Sequence, residues 1–326
     1  MKLYGNNHIQ VAKTLENIGS LYTTIRKFEE AKQAFHKAIK TKKAILGKKH
    51  SEIISCLTNL GFLYENMGEF ANSFKYYERS LALSKEIYGD DNTLVGTALN
   101  NLGNLHNSTG NYQKAIECFE QACQIKKKIH GQNHSDVATT INNLGLAYFK
   151  KKDYSKAMQY FNEAYNIRKE INGENHSTVI LSLNNIGGVY QELKNYEKAL
   201  EVFEKAYQIT NAIYGKNRAK LIDCFKNLGS IYTSLKNREK AFSCYKEMVR
   251  FSEEIHGMEH VDTAQAYYNF GLFYIAFGEN SKALEFLQKA YTIFLKFFSI
   301  THPNVVNCSF HIGQISKSMG ILKAKK

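Results

Sequence analysis

The chain has no tryptophan and only one proline, Pro303, in 326 residues. A single proline over that length argues against a loop-rich fold and suits long helices, because proline removes a backbone donor and clashes inside a helix. No apolar run approaches the roughly 20 residues that a membrane helix needs. Met1 to Gln10 carry none of the apolar stretch of a secretion signal. These absences predict a soluble, cytoplasmic protein. The six cysteines form no CxxC or other tight metal-type spacing. They read as buried thiols used as small apolar side chains in a reducing compartment, and not as a disulfide framework. A phosphate loop, G-x-S-x-G, HExxH and a suggestively spaced Cys–His pair are all missing. No carboxylate pair stands out from an ordinary helix surface. The expectation is therefore no enzyme, no cofactor and no metal.

Acidic residues are the scarcer charge, 30 against 43 Lys and Arg, for a net charge of +13. The excess is scattered: Lys40, Lys42 and Lys43 late in one helical stretch, Lys126, Lys127 and Lys128 in the equivalent stretch two units on, Lys150 to Lys152 in a turn, and a tail of Lys323, Lys325 and Lys326. Solvated helix faces account for such a distribution. An anionic surface or nucleic acid is the rival partner, and nucleic acid is not the expected one.

Order appears in the glycines. Gly19, Gly61, Gly103, Gly145, Gly187, Gly229, Gly271 and Gly313 stand 42 residues apart without a slip. A fixed period of that size marks a solenoid, in which each small unit buries its apolar face against copies of itself. The unit from Ala138 to Val179 shows how. Ile141, Leu144, Gly145 and Tyr148 share one side of a first helix. After the turn Lys151-Lys152-Asp153, the residues Tyr154, Ala157, Phe161, Ala164, Ile167 and Ile171 make one apolar stripe of a second helix, which Gly173 stops. Gly145, Ala157 and Ala164 are small enough for close helix approach, and Tyr148 and Phe161 fill what remains. The last turn residue, Asn111, Asp153, Asn195 or Asn237, can cap the second helix. The residue before it is glycine in four units, Gly68, Gly110, Gly278 and Gly320, as a left-handed helix end requires.

This pattern resembles the tetratricopeptide repeat. The motif positions read Leu99, Leu102, Gly103, His106, Ala115, Phe119 and Ala122 in one unit, and Ile141, Leu144, Gly145, Tyr148, Ala157, Phe161 and Ala164 in the next. The common unit has 34 residues and often ends in proline. Here Lys127, Lys169 or Asn211 stands in that place, so the second helix runs about two turns further. The longer form, with its Gly-x-x-His linker, is similar to the 42-residue repeats of kinesin light chains. The resemblance implies an all-α, right-handed α-solenoid (superhelix) of antiparallel helix pairs, a single array over 1–326. Its expected parts are repeats at 9–50, 51–92, 93–134, 135–176, 177–218, 219–260 and 261–302, with 303–326 a lone first helix acting as C-terminal cap plus a Lys-rich tail. Residues 1–8 read as the remnant of a preceding second helix and linker, because Leu3-Tyr4-Gly5-Asn6-Asn7-His8 matches Ile87-Tyr88-Gly89-Asp90-Asp91-Asn92. That match suggests a fragment of a longer protein.

One polar residue recurs as faithfully as the glycines, two places before each: Asn17, Asn59, Asn101, Asn143, Asn185, Asn227 and Asn269, with His311 in the eighth unit. Asparagine is a poor helix former, so seven mid-helix copies need a reason. One reason is bonding between helices. The resemblance implies another: this position lines the concave groove of tetratricopeptide arrays, where a carboxamide offers one donor and one acceptor to the backbone of a bound peptide. On the same face lie Asn100, Asn142, Asn184, Lys226 and Tyr268, one residue before the ladder, and Asn104, Leu146 and Leu272, three after it, with Phe149 near them. These vary between units while the scaffold stays fixed, as a specificity code would, or as drift on a solvated face would. The implied partner is an extended or short helical segment of another protein. A carboxylate clamp is poorly served, since its candidate cations Lys13 and Lys226 lie five units apart. The alternative is the sensor or oligomerisation part of a longer regulator. His8, His50, His134, His176, His260 and His302 recur at one linker position, one per unit. They read as groups bonding a helix end or turn, too far apart to share one metal.

Overall fold

The computed structural model describes residues 8–215 and 217–320. Among these the chain forms fifteen α-helices and no strand. They run as α1 Ile9–Thr24, α2 Phe28–Leu46, α3 Ser51–Asn66, α4 Phe70–Tyr88, α5 Thr93–Ser108, α6 Tyr112–His130, α7 Ser135–Lys150 and α8 Tyr154–Asn172. Then come α9 Ser177–Glu192, α10 Tyr196–Tyr214, a 3₁₀ turn Arg218–Leu221, α11 Ile222–Ser234, α12 Arg238–His256, α13 Val261–Ala276, α14 Asn280–Phe297 and α15 Pro303–Ser318. First helices are mostly 16 residues long and second helices mostly 19. The architecture is an all-α repeat solenoid, and no described helix is long and apolar enough to cross a membrane. The chain divides into two compact units, Met1–Ile171 and Asn172–Lys326. The expected remnant at the start lies almost entirely outside the described residues, and so does most of the lysine tail.

The periodic glycines are where second helices press on first ones. A Cβ on Gly145 would sit 2.7 Å from the Phe161 ring, and one on Gly19 2.8 Å from the Phe35 ring. Gly271 meets Leu287 instead, also at 2.8 Å. Ala157, Phe161 and Ala164 are buried around this contact. Gly313 of α15 has open space, since no described helix follows to cover it.

Turn chemistry follows the sequence with one exception. Gly68, Gly110, Gly278 and Gly320 are left-handed, at φ 76°, 80°, 74° and 68°, and Arg26, Lys152, Lys194 and Lys236 hold the same conformation in the other units, at φ 59°, 65°, 57° and 59°. A left-handed residue with a side chain costs about 1–2 kcal/mol, so four units tolerate a strain that four avoid. Asp153, Asn195 and Asn237 accept the backbone N–H bonds of Lys156, Lys198 and Lys240. Asn111 does not cap; its amide donates to Thr109 Oγ1 at 3.2 Å.

The linker histidines do what their position suggested. His8, His50, His134, His176, His260 and His302 each precede a first helix, and each Nδ1 accepts the backbone N–H two residues on. Asn92 does the same with its carbonyl oxygen, 2.9 Å from the Leu94 nitrogen. Arg218, which has no acceptor to offer, stands at this position in the sixth unit. That helix opens as a 3₁₀ turn and becomes α-helical only at Ile222.

All six cysteines are free and five are buried. Burial raises their pKa values, that of Cys56 to about 12 and that of Cys244 to about 11. The expectation for the lysines needs correction. Lys42 and Lys126 are not on a solvated face; their side chains are buried, at 0% and 6% exposure.

Candidate peptide-binding face

That correction leads to the site. One position of the second helix reads Lys42, Ser84, Lys126, Arg168, Thr210, Ser252 and Phe294, and all seven are buried. The early members reach towards the asparagine face. Lys42 Nζ lies 2.6 Å from Glu16 Oε2 and 3.1 Å from Glu52 Oε2, and it donates to the Glu52 carbonyl at 2.8 Å. Lys126 Nζ donates to Thr140 Oγ1 at 2.9 Å. Arg168 Nη1 donates to Asn142 Oδ1 at 3.2 Å. Burial lowers the pKa of Lys126, while the hydrogen bonds to Glu16 and Glu52 raise that of Lys42 against the same burial. The sequence offered a signal for this, a polar residue recurring every 42 positions within an apolar stripe, and it went unread.

In the first unit the ladder spans α1, α3, α5 and α7. Asn17 is exposed, and Asn59, Asn101 and Asn143 are half-buried. Asn59 Nδ2 donates to Glu16 Oε1 at 2.9 Å, and Asn143 Nδ2 donates to Asn100 Oδ1 at 3.2 Å. Each bond crosses from one first helix to the one before it. Asn104 is exposed, and Leu146 and Phe149 are half-buried on α7. Asn142 is only 3% exposed and is engaged by Arg168.

In the second unit Asn185, Asn227 and Asn269 are half-buried, as are Asn184, Tyr268 and Leu272. Asn227 Nδ2 donates to Asn184 Oδ1 at 3.3 Å, repeating the cross-helix bond of the first unit. Asn269 Oδ1 instead accepts from Gln265 at 3.3 Å on its own helix. Lys226 pairs with Asp223 at 2.8 Å, as Lys13 pairs with Glu52 at 2.9 Å, so both clamp candidates already have carboxylates. A cavity of about 280 Å³ opens beside this face, lined by Leu181, Asn184, Thr210, Tyr214 and Asp223. Another of about 270 Å³ is lined by Asp223, Lys226, Met248, His256, Asp262 and Asn269.

Models of the tetratricopeptide repeat match residues 11–52, 52–128, 95–170, 178–254 and 227–296. The chain belongs to the tetratricopeptide repeat family. Solved tetratricopeptide-type structures agree in fold. BtubC (BKLC) from P. vanneervenii is 23% identical with a TM-score of 0.57, over 74% of this chain and 92% of that one. The nearly identical TPR-like repeats of a putative kinesin light chain from Podosopora anserina are 16% identical with a TM-score of 0.55, over 63% of this chain and 98% of that one. A STAND signal-transduction ATPase with a tetratricopeptide repeat sensor, from Pyrococcus horikoshii, is 16% identical with a TM-score of 0.63, over 95% of this chain and 45% of that one. No curated protein sequence matches. The tetratricopeptide fold is that of a protein-interaction scaffold.

Proposed function

We propose that the chain binds a segment of a partner protein along its first helices, with the asparagine ladder taking the ligand backbone. The supporting observation is the cross-helix amide bond. Asn143 gives its N–H to Asn100, and Asn227 gives its N–H to Asn184. Each pair then keeps an acceptor on the later residue and donors on the earlier one. That is the complement of one peptide unit, which has one N–H and one C=O. The two readings of the ladder therefore coexist: the amides bond between helices and are fixed by doing so. A receptor fixed beforehand loses little conformational entropy when it binds. Leu146, Phe149, Tyr268 and Leu272 beside the ladder would choose ligand side chains. Asn142 would act indirectly, by anchoring Arg168 beneath the face.

Peptide capture from a native extract tests this with the double variant Asn143→Ala/Asn185→Ala. The expected result is loss of the captured ligand with circular dichroism and melting near wild type. A large loss of helix stability would make the amides purely structural. Affinity should change little with salt. A steep fall would favour the anionic partner suggested by the +13 charge. One observation favours a second reading, a sensor within a longer regulator: the match covers under half of the Pyrococcus horikoshii protein. Coding sequence for a nucleotide-binding region beside this one would support it.

A further inference from the structure

A pair of histidines and an aspartate occurs twice at the linkers, and the ladder reading uses neither. His130, His134 and Asp136 lie together in the first unit, and His256, His260 and Asp262 in the second; within each trio the side-chain ligand atoms lie within 4.8 Å of one another. The sequence pattern is the same both times, His-Gly-x-x-His-x-Asp. The first histidine ends a second helix, the glycine turns the chain, the second histidine caps the next first helix, and the aspartate stands in its first turn. The rings stack, with centroids 4.3 Å apart in the first trio and 4.8 Å in the second.

The trio is not a by-product of the repeat. The position before the linker glycine, or before Ser299 in the last linker, reads Leu46, Tyr88, His130, Asn172, Tyr214, His256 and Phe298. The position six residues on reads Glu52, Leu94, Asp136, Thr178, Lys220, Asp262 and Asn304. Aspartate appears only in the two units that carry the extra histidine. Glu52, the one other acid there, is taken by Lys13 and Lys42. Among the described residues neither Asp136 nor Asp262 forms an ion pair with a lysine or arginine, although the field of Asp136 reaches the buried Lys126; within 4 Å each carboxylate meets only the trio's own histidines.

We infer that each trio binds one divalent transition-metal ion, with zinc the best fit. Two imidazoles and a carboxylate suit zinc, copper or nickel; calcium and magnesium ask for oxygen alone. A tetrahedral zinc ion about 2.0–2.2 Å from each ligand sets the ligand atoms about 3.3 Å apart. Asp262 Oδ2 already stands 3.8 Å from His256 Nε2 and 3.5 Å from His260 Nδ1, and Asp136 Oδ2 stands 3.9 Å from His134 Nδ1. Closing those gaps requires the stacked rings to turn out of parallel, so that their in-plane lone pairs converge on the ion. The first histidine also sits at a helix C-terminus, where backbone carbonyls favour positive charge. There are competing bonds, one of them between His130 Nε2 and Thr93 Oγ1 at 3.4 Å. The Nδ1 lone pair of His134 and of His260 now accepts the N–H of the aspartate's own residue, at 3.1 and 3.2 Å. The metal replaces that bond, and the linker stays tied through the carboxylate. Three protein ligands leave the fourth position to water or to a group from outside.

Zinc uptake by the full chain, counted by native mass spectrometry, tests this. Wild type should take two zinc ions, and His130→Tyr and His256→Tyr one each. The double variant His130→Tyr/His256→Tyr should take none. Tyrosine is chosen because Tyr88 and Tyr214 fill the same position in other units, so the fold is kept. Zinc should also raise the melting temperature of wild type and leave that of the double variant unmoved. Bound cobalt(II) should show visible ligand-field bands without thiolate charge transfer, since the buried cysteines hold their protons. No uptake by wild type, or equal uptake by the double variant, would overturn the assignment.

Discussion

The two compact units are cut from one template and filled differently. At the shared buried position of the second helix, the first unit has Lys42, Ser84, Lys126 and Arg168, and the second has Thr210, Ser252 and Phe294. The first unit thus places cations beneath its asparagine face and supports them with Glu16, Glu52, Thr140 and Asn142. The second has only neutral members there, and its core is aromatic, with Tyr245, Phe270, Phe273 and Tyr274 packed ring against ring. A 42-residue scaffold therefore keeps its helix pairs while leaving the polarity under its asparagine face free to vary. A charged support demands partners, and an apolar one demands volume.

The sharpest break in that comparison is at Lys42. Lys42→Ala leaves Glu16 partly buried without its counterion, and removing one partner of a buried pair costs about 3–5 kcal/mol. Ser252→Ala at the equivalent position loses only a bond from Ser252 Oγ to the Met248 carbonyl on its own helix, about 1 kcal/mol or less. Chemical denaturation reads both, and equal losses would abolish the distinction. Lys42→Met with Glu16→Gln should recover part of the stability, because both charges then leave together.

The glycine position offers the next contrast. Gly145→Ala drives a methyl group against the Phe161 ring, which is 1% exposed and cannot step aside. Overpacking of this kind costs about 1–3 kcal/mol. Gly313→Ala meets open space and should stabilise α15 by about 0.5–1 kcal/mol through helix propensity alone. Two melting curves decide the matter. A loss at Gly313 would mean that α15 packs more tightly there than its open flank indicates.

Acid should separate the units by a smaller margin. Hydrogen bonds from Lys13 and then Lys42 hold the Glu52 carboxyl below its ordinary 4.5, against the opposing effect of burial. In the second unit, Lys282 and Arg238, both exposed, lower that of the half-buried Glu279. A carboxyl depressed by folding binds fewer protons in the native state than in the unfolded one. Its stabilisation is complete above the unfolded value and is lost as pH falls through the native one. Comparing Glu52→Gln and Glu279→Gln with wild type between about pH 7 and about pH 3 isolates each contribution. Salt should weaken the pairs of Glu279 with Arg238 and Lys282 and that of Glu52 with Lys13, and leave most of the pair between Glu52 and Lys42, because screening weakens pairs with exposed cations far more than a pair with a buried one. Equal screening at the two sites would make the Lys42 cluster an ordinary surface pair.

Much of this organisation could be read without coordinates, for a physical reason. Glycine every 42 residues points to a neighbour too close for a Cβ, and Phe35, Phe161 and Leu287 are such neighbours, while Gly313 keeps the register with open space beside it. The capping histidines were legible because a polar residue after Gly-x-x has a helix start to serve. Lys42, Lys126 and Arg168 were not, since a lysine in a helix tells nothing of whether another helix covers it. Burial depends on how helices pack on one another, and so do the partners of Asn142, on the second helix of its own repeat, and of Asn143, on the first helix of the repeat before. The His130 and His256 trios were missed because only the linker position was compared across units. The first histidine of each trio falls one turn before that position, on a helix end that carries four other residue types elsewhere.

The smallest expected effect lies at the linkers, where His50, His134 and His176 cap the first unit's α3 and α7 and the second unit's α9, and Arg218 fails to cap the helix ahead of α11. Arg218→Asn supplies an acceptor of the kind Asn92 already provides to α5. A cap of this sort is worth about 0.5–2 kcal/mol. The substitution also removes the exposed ion pair of Arg218 with Glu254 and the guanidinium 5.2 Å from the centre of the Phe251 ring. Together these offset about 1 kcal/mol. The melting temperature should therefore barely move, and a large shift either way would contradict that balance. Local order should respond all the same. With Asn at 218, amide exchange at Lys220 and Leu221 should slow as the 3₁₀ turn Arg218–Leu221 joins α11. His176→Ala should quicken exchange at the start of α9 by removing the bond to the Thr178 N–H. Unchanged exchange at Lys220 would assign the irregular start to the linker path, where Gly215 keeps φ −48° while Gly173 and Gly257 turn positive, and would leave the missing cap as its consequence.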